Sequence, residues 1–462
     1  MTYREARAYL ESVSQSGSVF GLDSIRNLLM ELGNPQEDLK FVHIAGTNGK
    51  GSVLAYISTI LGEAGYRTGR YVSPTVISHL ECIQINQRNI SEQEFATLVL
   101  QVRQASVRMQ EKGNAHPTVF EMETAMAFLY FKEKACDIVV LETGLGGRDD
   151  ATNVIRNTLT CVFTAIGRDH MEVLGGTLSA IASQKAGIIK PGSQVILGRQ
   201  MIEAARVIKE VAKKHQCKLY TACMQDVAIS SSDEIEPPAD CRAAQMYYVS
   251  KADTPLAAST PMAHLSKNTE KRFVQSFSYK EMDGLRTRLL GRHQIENAII
   301  AIEAVKALRE YGFDISNMSI KKGLEQTKWL GRFTVVREHP VVIADGAHNK
   351  DAVQRLKETL IEYFPNQKVT CIMGVFKDKE VEAMLSEIAP VAKKIHTISL
   401  PNKERTVKAE TLKQYIERAG IESEAHHSLL EALEQAIDEV GQEGVVVAFG
   451  SLSYMGQLFI LQ

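Results

Sequence analysis

The stretch that decides the fold reads Phe41-Val-His-Ile-Ala-Gly46-Thr-Asn-Gly49-Lys50-Gly51-Ser52. Its first five residues are mostly apolar and predict a buried strand, and the glycines, lysine and serine stand where a helix would begin. In such a turn backbone N–H groups converge on phosphate oxygens, the lysine bridges the outer phosphates, and a hydroxyl can bind Mg²⁺. The spacing is a variant, because Ile44 replaces the usual first glycine and Gly51 separates the lysine from the serine. Strand, helix and lysine together favour a phosphate loop over a glycine-rich turn without a ligand.

Short apolar runs alternate with amphipathic stretches on both sides of this loop. Apolar residues recur at helical spacing over residues 53–64 until Gly65, which predicts a helix directly after the loop. Runs typical of buried strands are Phe41–Ala45 and residues 138–141, 161–166 and 195–197. Strands and helices repeated in this order predict an α/β fold with a mostly parallel sheet.

A length of 462 residues predicts more than one domain, and the pattern divides near residue 290. Residues 1–290 contain the loop and are predicted to be an ATP-binding domain. Within them, residues 222–289 are more polar, which indicates a β-rich excursion or, at 253–268, a partly disordered insertion. Residues 291–462 are predicted to form a smaller α/β domain. Its helix is expected at 293–311, and its strands at Val341–Ala344, Val369–Met373, 396–400 and Val445–Phe449.

The bulk composition excludes several classes of function. A formal charge of −2 and the lack of a basic stripe argue against nucleic acid as a partner. No apolar run approaches the length that spans a membrane, and the N-terminus does not resemble a signal peptide. The seven cysteines are scattered without a C-x-x-C pair, so neither a disulfide framework nor a zinc site is indicated. We therefore expect a cytoplasmic protein.

Polar residues stand at the ends of the predicted strands, where open α/β sheets bind their ligands. Glu142 ends an otherwise apolar strand, where an unpaired carboxylate would be costly. Hard cations prefer carboxylate and hydroxyl oxygens beside phosphates, so Mg²⁺ binding is favoured over a helix cap or an ion pair. His170 and Asp345 occupy similar positions after other strands.

Residues 46–52 resemble the variant phosphate loop of the folylpolyglutamate and dihydrofolate synthases, in the Mur ligase superfamily. Motifs similar to those of the family recur in order along the whole chain. Examples are Gly33-Asn-Pro-Gln36, Ser73-Pro74, Thr118-x-Phe-Glu121, Glu142-Thr-Gly-Leu-Gly-Gly-Arg148, Asp169-His170, Lys185-Ala-Gly-Ile-Ile189, Leu290-Gly-Arg-His293, Trp329-x-Gly-Arg332, Asp345-Gly-Ala-His-Asn349 and Asp378-Lys379. The resemblance implies a two-domain Mur-ligase-like fold, with a large P-loop ATPase domain and a smaller Rossmann-like C-terminal domain.

The resemblance also implies which residues bind ATP and metal. The expected ATP-binding residues are Gly46, Thr47, Asn48, Gly49, Lys50, Gly51, Ser52, Asn297, Arg332, Asp345 and His348. Among them, Asn297 is expected at adenine and Arg332 at the phosphates. Two Mg²⁺ ions are expected at Ser52, Ser73, Glu142, His170 and Lys185. Residues assigned to catalysis are Lys50, Lys185, His170 and Arg332.

Lys185 is the least obvious of these assignments, because by itself it reads as an ordinary helix lysine. The resemblance implies that CO₂ carbamylates it to N6-carboxylysine, which turns a cation into an anion that can bind the second Mg²⁺. Such a lysine must lose its proton near neutral pH, which requires burial or nearby positive charge.

The implied activity is ATP-dependent ligation of L-glutamate to dihydropteroate and to tetrahydrofolate through an acyl phosphate, by a monomer. Two departures from the family pattern, Thr75 for histidine and Cys82 for arginine, leave a monofunctional folylpolyglutamate synthase as one alternative. A Mur-type ligase with another carboxylate acceptor is a second alternative. A P-loop module without amide chemistry is a third, but it does not explain Arg332, Asp345 and His348.

Overall fold

A computed structural model describes residues 1–14, 21–229 and 274–460. The first domain is built on an eight-stranded sheet whose order is β4-β3-β2-β5-β1-β6-β7-β8. The six strands from β2 to β8 in this order run parallel, and β3 and β4 form an antiparallel edge. The strands are β1 Phe41–Ala45, β2 Thr68–Tyr71, β3 Ile83–Ile85, β4 Arg88–Asn89, β5 Ile138–Glu142, β6 Thr158–Phe163, β7 Gln194–Leu197 and β8 Leu219–Thr221.

Helices cover both faces of this sheet. One face packs against α3, and the other packs against the N-terminal helices and against α7 and α8 in separate apolar clusters. The helices are α1 Tyr3–Ser14, α2 Asp23–Glu31, α3 Lys50–Glu63, α4 Glu92–Glu111, α5 Val119–Glu133, α6 Met171–Leu174, α7 Leu178–Ala186 and α8 Ile202–Lys214. The helix predicted after the loop is α3, and it is followed by Gly65 at φ +91°.

A small antiparallel sheet lies beside the large one, in the order β11-β10-β9. Its strands are β9 Val227–Ile229, β10 Gln275–Tyr279 and β11 Met282–Thr287. The hydroxyl of Tyr56 on α3 and that of Thr287 on β11 are 2.6 Å apart, which ties this sheet to the main core. The described ends of the segment 222–289 are thus strands, and the predicted insertion at 253–268 lies outside the described residues.

The second domain has a six-stranded sheet in the order β12-β13-β17-β14-β15-β16. Only the β12–β13 pairing is antiparallel. The strands are β12 Thr334–Glu338, β13 Val341–Ala344, β14 Val369–Met373, β15 Ala392–Thr397, β16 Glu422–Ala425 and β17 Val445–Phe449. Its helices are α11 Lys350–Tyr363, α12 Val381–Ile388, α13 Ala409–Arg418, α14 Leu429–Val440 and α15 Met455–Ile460. The predicted α/β architecture with two mostly parallel sheets is confirmed.

Two helices that lie along the chain between the strands of the two domains pack on the core of the first domain. The predicted domain boundary at residue 290 would put them in the second domain. They are α9 Arg292–Leu308 and α10 Asn317–Gln326. Apolar residues of both helices belong to the same cluster as α3. The backbones of α10 and α3 approach so closely that a Cβ on Gly323 would lie 2.5 Å from Ile60 Cα. The packing favours a boundary after α10, because the periodicity of a helix shows which face is apolar but not which core receives it.

Two predicted strands were displaced along the chain. The first was predicted at residues 161–166, whereas β6 runs from Thr158 to Phe163. For the second, the sequence favoured residues 396–400, whereas β15 runs from Ala392 to Thr397. Lys393 and Lys394 interrupt the apolar run, and the structure accommodates Lys394 by pairing it with Glu424 and Glu439. No helix of the described residues is long and apolar enough to cross a membrane.

Candidate active site

The carboxyl ends of four neighbouring strands of the first sheet form the candidate site. In the order β2, β5, β1 and β6, these strands run parallel, so the residues that follow them meet at one edge. This register brings Ser73, Glu142, the loop 46–52 and the segment 164–170 to the same edge.

Backbone hydrogen bonds hold the loop against the segment after β6. The N–H groups of Thr47 and Asn48 donate to Ala165 O at 2.8 and 3.2 Å. The Thr47 hydroxyl donates to Gly167 O at 3.1 Å and accepts from Gly167 N at 3.0 Å. The loop is therefore fixed by its own neighbours before any ligand binds.

Close approaches explain the glycines of the loop. A Cβ on Gly46 would lie 1.8 Å from Thr164 Oγ1, and one on Gly51 would lie 2.8 Å from Trp329 Nε1. Gly49 has φ +91°, a left-handed conformation that favours glycine, and precedes α3 without any side-chain cap. The N–H groups of the first turn of α3 thus have no side-chain acceptor there, as an anion-binding helix terminus requires.

Lys50 lies over the loop and faces Glu142. Its Nζ donates to Gly46 O at 3.2 Å and to Thr47 O at 3.4 Å, and it is 3.8 Å from Glu142 Oε1. Burial raises the pKa of Glu142, while the charges of Lys50 and Arg332 oppose that rise. The ammonium and the carboxylate are therefore close, but they make no direct short bond.

The two serines predicted to bind metal differ in their surroundings. Ser52 is buried, and its Oγ has no hydrogen-bond partner in the described part of the chain. A buried hydroxyl without a partner is costly and usually indicates a missing ligand or water. Ser73 is half-buried directly beyond β2, the strand next to the one that ends at Glu142.

Lys185, near the end of α7, reaches the loop from the opposite side. Only 4% of the residue is exposed, and its Nζ donates to Gly46 O at 2.9 Å. Burial, aided by the charge of Lys50, lowers the pKa of Lys185 to about 7, although Asp169 and Asp150 oppose this shift. A large fraction of this amine is therefore neutral near pH 7, as carbamylation requires.

His170 is more exposed than the other predicted metal ligands. It adopts φ +49° immediately before the short helix α6, and its Nε2 is 3.9 Å from Asp169 Oδ1. Burial lowers its pKa, the charge of Asp169 opposes this shift, and the charges of Lys379 and Lys185 add to it. The neutral imidazole, the form that can accept a metal ion, is therefore favoured.

Asn297 lies on α9, against the phosphate loop. Its Nδ2 donates to Gln294 Oε1 at 3.0 Å, and a Cβ on Gly49 would lie 2.5 Å from its Oδ1. Asn297 therefore borders the loop from the helix that packs on the first core. The predicted contact with adenine stays a prediction.

The second domain contributes Arg332, Asp345 and His348. Asp345 accepts from the N–H groups of Phe333 and Ala347 at 2.7 and 2.8 Å. Burial lowers the pKa of Arg332, while the charges of Asp345 and Glu142 oppose that shift. The guanidinium donates to Gly331 O at 2.9 Å through Nη1. His348 is 2.7 Å from Gly346 O through Nδ1, and burial lowers its pKa to about 4.

Two contacts between the domains were not predicted. The amide groups of Asn48 and Asn349 donate to each other at 3.2 and 3.1 Å. Lys379 donates to Asp169 Oδ1 at 2.9 Å, and both side chains are largely buried. The sequence contained these residues in its motifs but gave no sign of which pairs would meet across the cleft.

Two domain families match this chain. Residues 44–305 match the Mur ligase middle domain, and residues 331–452 match the Mur ligase glutamate ligase domain. The fold and the nucleotide site thus define a Mur-type, ATP-dependent ligase.

Comparison with individual proteins identifies the family within this class of ligases. The dihydrofolate synthase/folylpolyglutamate synthase of Bacillus subtilis is 35% identical over 399 residues, which are 86% of this chain and 85% of the relative. The structure of Mycobacterium tuberculosis folylpolyglutamate synthase with ADP and AMPPCP has a TM-score of 0.82, 26% identity and 99% coverage of both chains. The structure of Escherichia coli FolC with DHPP and ADP has a TM-score of 0.79, 25% identity and coverage of 99% and 97%. The chain belongs to the dihydrofolate synthase/folylpolyglutamate synthase family, as its motifs predicted.

Proposed function

We propose that this enzyme adds L-glutamate to dihydropteroate, forming dihydrofolate, and to tetrahydrofolate, forming folylpolyglutamates. ATP is converted to ADP and phosphate in each addition. Support comes from the relatives, which carry both names, and from the E. coli neighbour that holds DHPP with ADP.

One observation carries the proposal. A phosphate loop with a free helix terminus, a lysine and an acidic strand end lies opposite an arginine from the second domain. This arrangement suits the transfer of a phosphoryl group, which needs positioning and charge neutralisation more than covalent help from the protein. A reaction at this position would lie between the two domains, whose contacts can exclude water.

The chemistry requires two displacements. A carboxylate oxygen of the acceptor attacks the γ-phosphorus of ATP, the bond to the β–γ bridging oxygen breaks, and ADP leaves. The amine of L-glutamate then attacks the carbonyl carbon of the acyl phosphate. The tetrahedral intermediate expels phosphate and loses one proton, leaving an amide. Lys50 and Arg332 are assigned to neutralise charge on the transferred group.

The residues present fit a magnesium ion. Ser52 offers a buried hydroxyl without a partner, and Glu142 a buried carboxylate whose lysine neighbour is 3.8 Å away. Oxygen ligands of this kind beside phosphates suit Mg²⁺, which would neutralise phosphate charge when bound. We assign one ion to Ser52, Ser73 and Glu142, and a second to His170 and Lys185.

Carbamylation of Lys185 belongs to the same proposal. Its neutral amine would add to CO₂ and release one proton, giving a carbamate anion. A pKa of about 7 makes the amine available, and its position 2.9 Å from Gly46 O places the anion beside the loop. A ¹³C resonance from protein incubated with ¹³CO₂, absent in Lys185→Met, would identify the carbamate, and its absence from wild-type protein would remove this assignment.

The acceptor range depends on the two departures from the family pattern. Cys82 is buried in the core of the first domain, so its side chain is shielded from a bound substrate. Thr75 is half-buried just beyond Ser73 and is the better candidate for altering pterin contacts. A monofunctional folylpolyglutamate synthase therefore remains the second candidate.

We further propose that the enzyme acts as a monomer.

The test is ADP release by purified enzyme with Mg²⁺-ATP and L-glutamate, comparing dihydropteroate, tetrahydrofolate and no acceptor. Turnover with both acceptors, dependent on L-glutamate, is expected. Turnover with tetrahydrofolate alone would establish the monofunctional alternative. A folded protein that binds ATP but is silent with both acceptors would exclude the folate assignment and point to another carboxylate within the Mur ligases.

A further inference from the structure

Two buried histidines in the second domain belong to a polar cluster that the nucleotide site does not use. His396 lies in β15, and its parallel partner in β16 is Glu424. His426 follows Glu424 by two residues, so the pleat places it on the same face. Helix α14 covers that face, with Glu431 and Glu439 among its polar side chains.

The ligand atoms of this cluster converge. His396 Nδ1 and His426 Nε2 are 2.8 Å apart, and one nitrogen of each ring and a carboxylate oxygen of Glu424 all lie within 4.8 Å of one another. His396 is fully buried, His426 is 5% exposed, and Glu424 reaches the surface. An ion could therefore enter past the carboxylate while the imidazoles remain shielded.

The outer nitrogens of both rings face carboxylates. His396 Nε2 is 3.2 Å from Glu439 Oε2, and His426 Nδ1 is 3.8 Å from Glu431 Oε1 without a hydrogen-bond partner in the described residues. Protons on these outer nitrogens would leave two lone pairs facing each other at 2.8 Å, which is repulsive. A single proton shared between the rings relieves this, but it leaves one outer nitrogen unprotonated beside a carboxylate oxygen. That nitrogen is His426 Nδ1 if the proton is on His426 Nε2, and His396 Nε2 if the proton is on His396 Nδ1.

We propose that His396, His426 and Glu424 form a binding site for a divalent transition-metal ion of the Zn²⁺ type, separate from the Mg²⁺-ATP site. Two imidazoles and a carboxylate are ligands that such ions share. The ion takes both inner lone pairs, and the outer N–H groups then donate toward Glu439 and Glu431. A carboxylate behind a metal-bound imidazole is the usual second contact in protein metal sites.

Lys394 sets the charge of the site. Its Nζ donates to Glu424 Oε2 at 2.8 Å and to Glu439 Oε1 at 2.6 Å. Each carboxylate keeps its other oxygen. Glu422 lies 3.8 Å from the same ammonium, so with Glu431 four carboxylates surround one lysine, and a divalent ion reduces the excess negative charge. Nitrogen ligands about 2.1 Å from a tetrahedral ion lie roughly 3.4 Å apart, so the two facing nitrogens need to separate by about 0.6 Å and the rings need to tilt toward the ion.

Calorimetric titration of the purified full-length enzyme with Zn²⁺, in excess Mg²⁺-ATP, tests the site. Wild-type protein is expected to bind one equivalent more than His426→Gln. The matched control is His427→Gln, because His427 is exposed next to the site and contributes no ligand atom. Equal stoichiometry for wild type and a folded His426→Gln variant would overturn the proposal.

A second variant protects the test against misfolding. Glu439→Gln retains all three ligands but weakens the acceptor behind His396, so Zn²⁺ affinity should fall roughly 10–100-fold at unchanged stoichiometry. Glu434→Gln, on the exposed side of α14, should bind as wild type does. Replacing Zn²⁺ with Co²⁺ should give visible absorption that His396→Gln lacks. Unchanged affinity in Glu439→Gln, or the same Co²⁺ spectrum in His396→Gln, would contradict the assignment.

Discussion

The polar groups on the two sides of the nucleotide cleft are treated differently by the fold. On the first domain, Ser52 Oγ is buried without a partner among the described residues, and the amine of Lys185 donates to a single acceptor there, the backbone carbonyl of Gly46. On the second domain, Asp345 accepts two backbone N–H groups, and Lys379 is paired with Asp169. The polar groups of the first set lack hydrogen-bond partners that a ligand could supply, whereas those of the second set have their partners within the protein.

This difference indicates a division of labour. Unsatisfied buried groups cost stability and are retained where a ligand completes them. Satisfied groups stabilise one arrangement of the chain and so hold the domains in position. Substitutions on the first side should therefore reduce activity more than stability, and substitutions on the second side should reduce stability.

The largest expected effect is the loss of activity in Lys50→Met. Removing the ammonium that we assign to neutralising the transferred phosphoryl group should lower kcat roughly 10²–10³-fold. ADP release in the presence of L-glutamate and tetrahydrofolate measures this change. Lys209→Met, at an exposed position on α8, is the control and should match wild type. A kcat within threefold of wild type for Lys50→Met would deny the lysine its assigned role.

Lys185→Met sharpens the comparison through pH. In CO₂-free buffer the pKa of Lys185 in the folded protein is about 7, below its ordinary value of 10.5. Between these values the unfolded chain binds a proton that the native state lacks, so the free energy of unfolding rises with pH by about 1.4 kcal/mol per unit. Lys185→Met should lack this contribution and be more stable than wild type near pH 7, with a difference that vanishes near pH 10. Denaturant unfolding at both pH values measures it, and parallel profiles would contradict the burial argument.

Ser52→Ala and Asp345→Asn compare the two sides directly. Ser52→Ala removes a hydroxyl without a partner and should leave the melting temperature unchanged or raised, while kcat falls roughly 10–100-fold. Asp345→Asn leaves one backbone N–H facing an amide N–H and should lower the free energy of unfolding by about 1–3 kcal/mol. A destabilised Ser52→Ala variant, together with an unaffected Asp345→Asn variant, would reverse the comparison.

The smallest effect concerns two glycines near α3. Gly62 has open space where a Cβ would stand, so Gly62→Ala should raise the free energy of unfolding by about 0.5–1 kcal/mol. At Gly46 a Cβ would lie 1.8 Å from Thr164 Oγ1, so Gly46→Ala should lower it by about 1–3 kcal/mol. Thermal melts of both variants measure these changes. Equal melting temperatures would show that the loop tolerates side chains that the geometry excludes.

The sequence predicted those features that depend on neighbouring residues. The phosphate loop, the strand Phe41–Ala45 and α3 follow from apolar spacing and glycine placement within 24 residues or fewer. Lys185 was assigned through the resemblance alone, since nothing in its neighbours reveals that α7 buries it beside Gly46. Burial lowers its pKa, and the hydrogen bond of the buried amine joins residues 139 positions apart.

Contacts between distant segments could not be predicted in the same way. Asn48 and Asn349 are 301 positions apart, and Asp169 and Lys379 are 210 positions apart. Local patterns give no register between such segments. The same limit applies to α9, because the sequence predicts a helix at 293–311 but not the core against which it packs.

The central claim is that the incomplete groups of the first domain support phosphoryl transfer to the acceptor carboxylate. Tetrahydropteroylglutamate labelled with ¹⁸O in its γ-carboxylate tests this directly, with mass spectrometry of the phosphate released during ligation of L-glutamate. If the reaction passes through an acyl phosphate, one ¹⁸O atom is transferred to phosphate for each amide formed, because the bridging oxygen leaves with the phosphate. Unlabelled phosphate in the presence of full amide formation would show that the carboxylate is activated by another route.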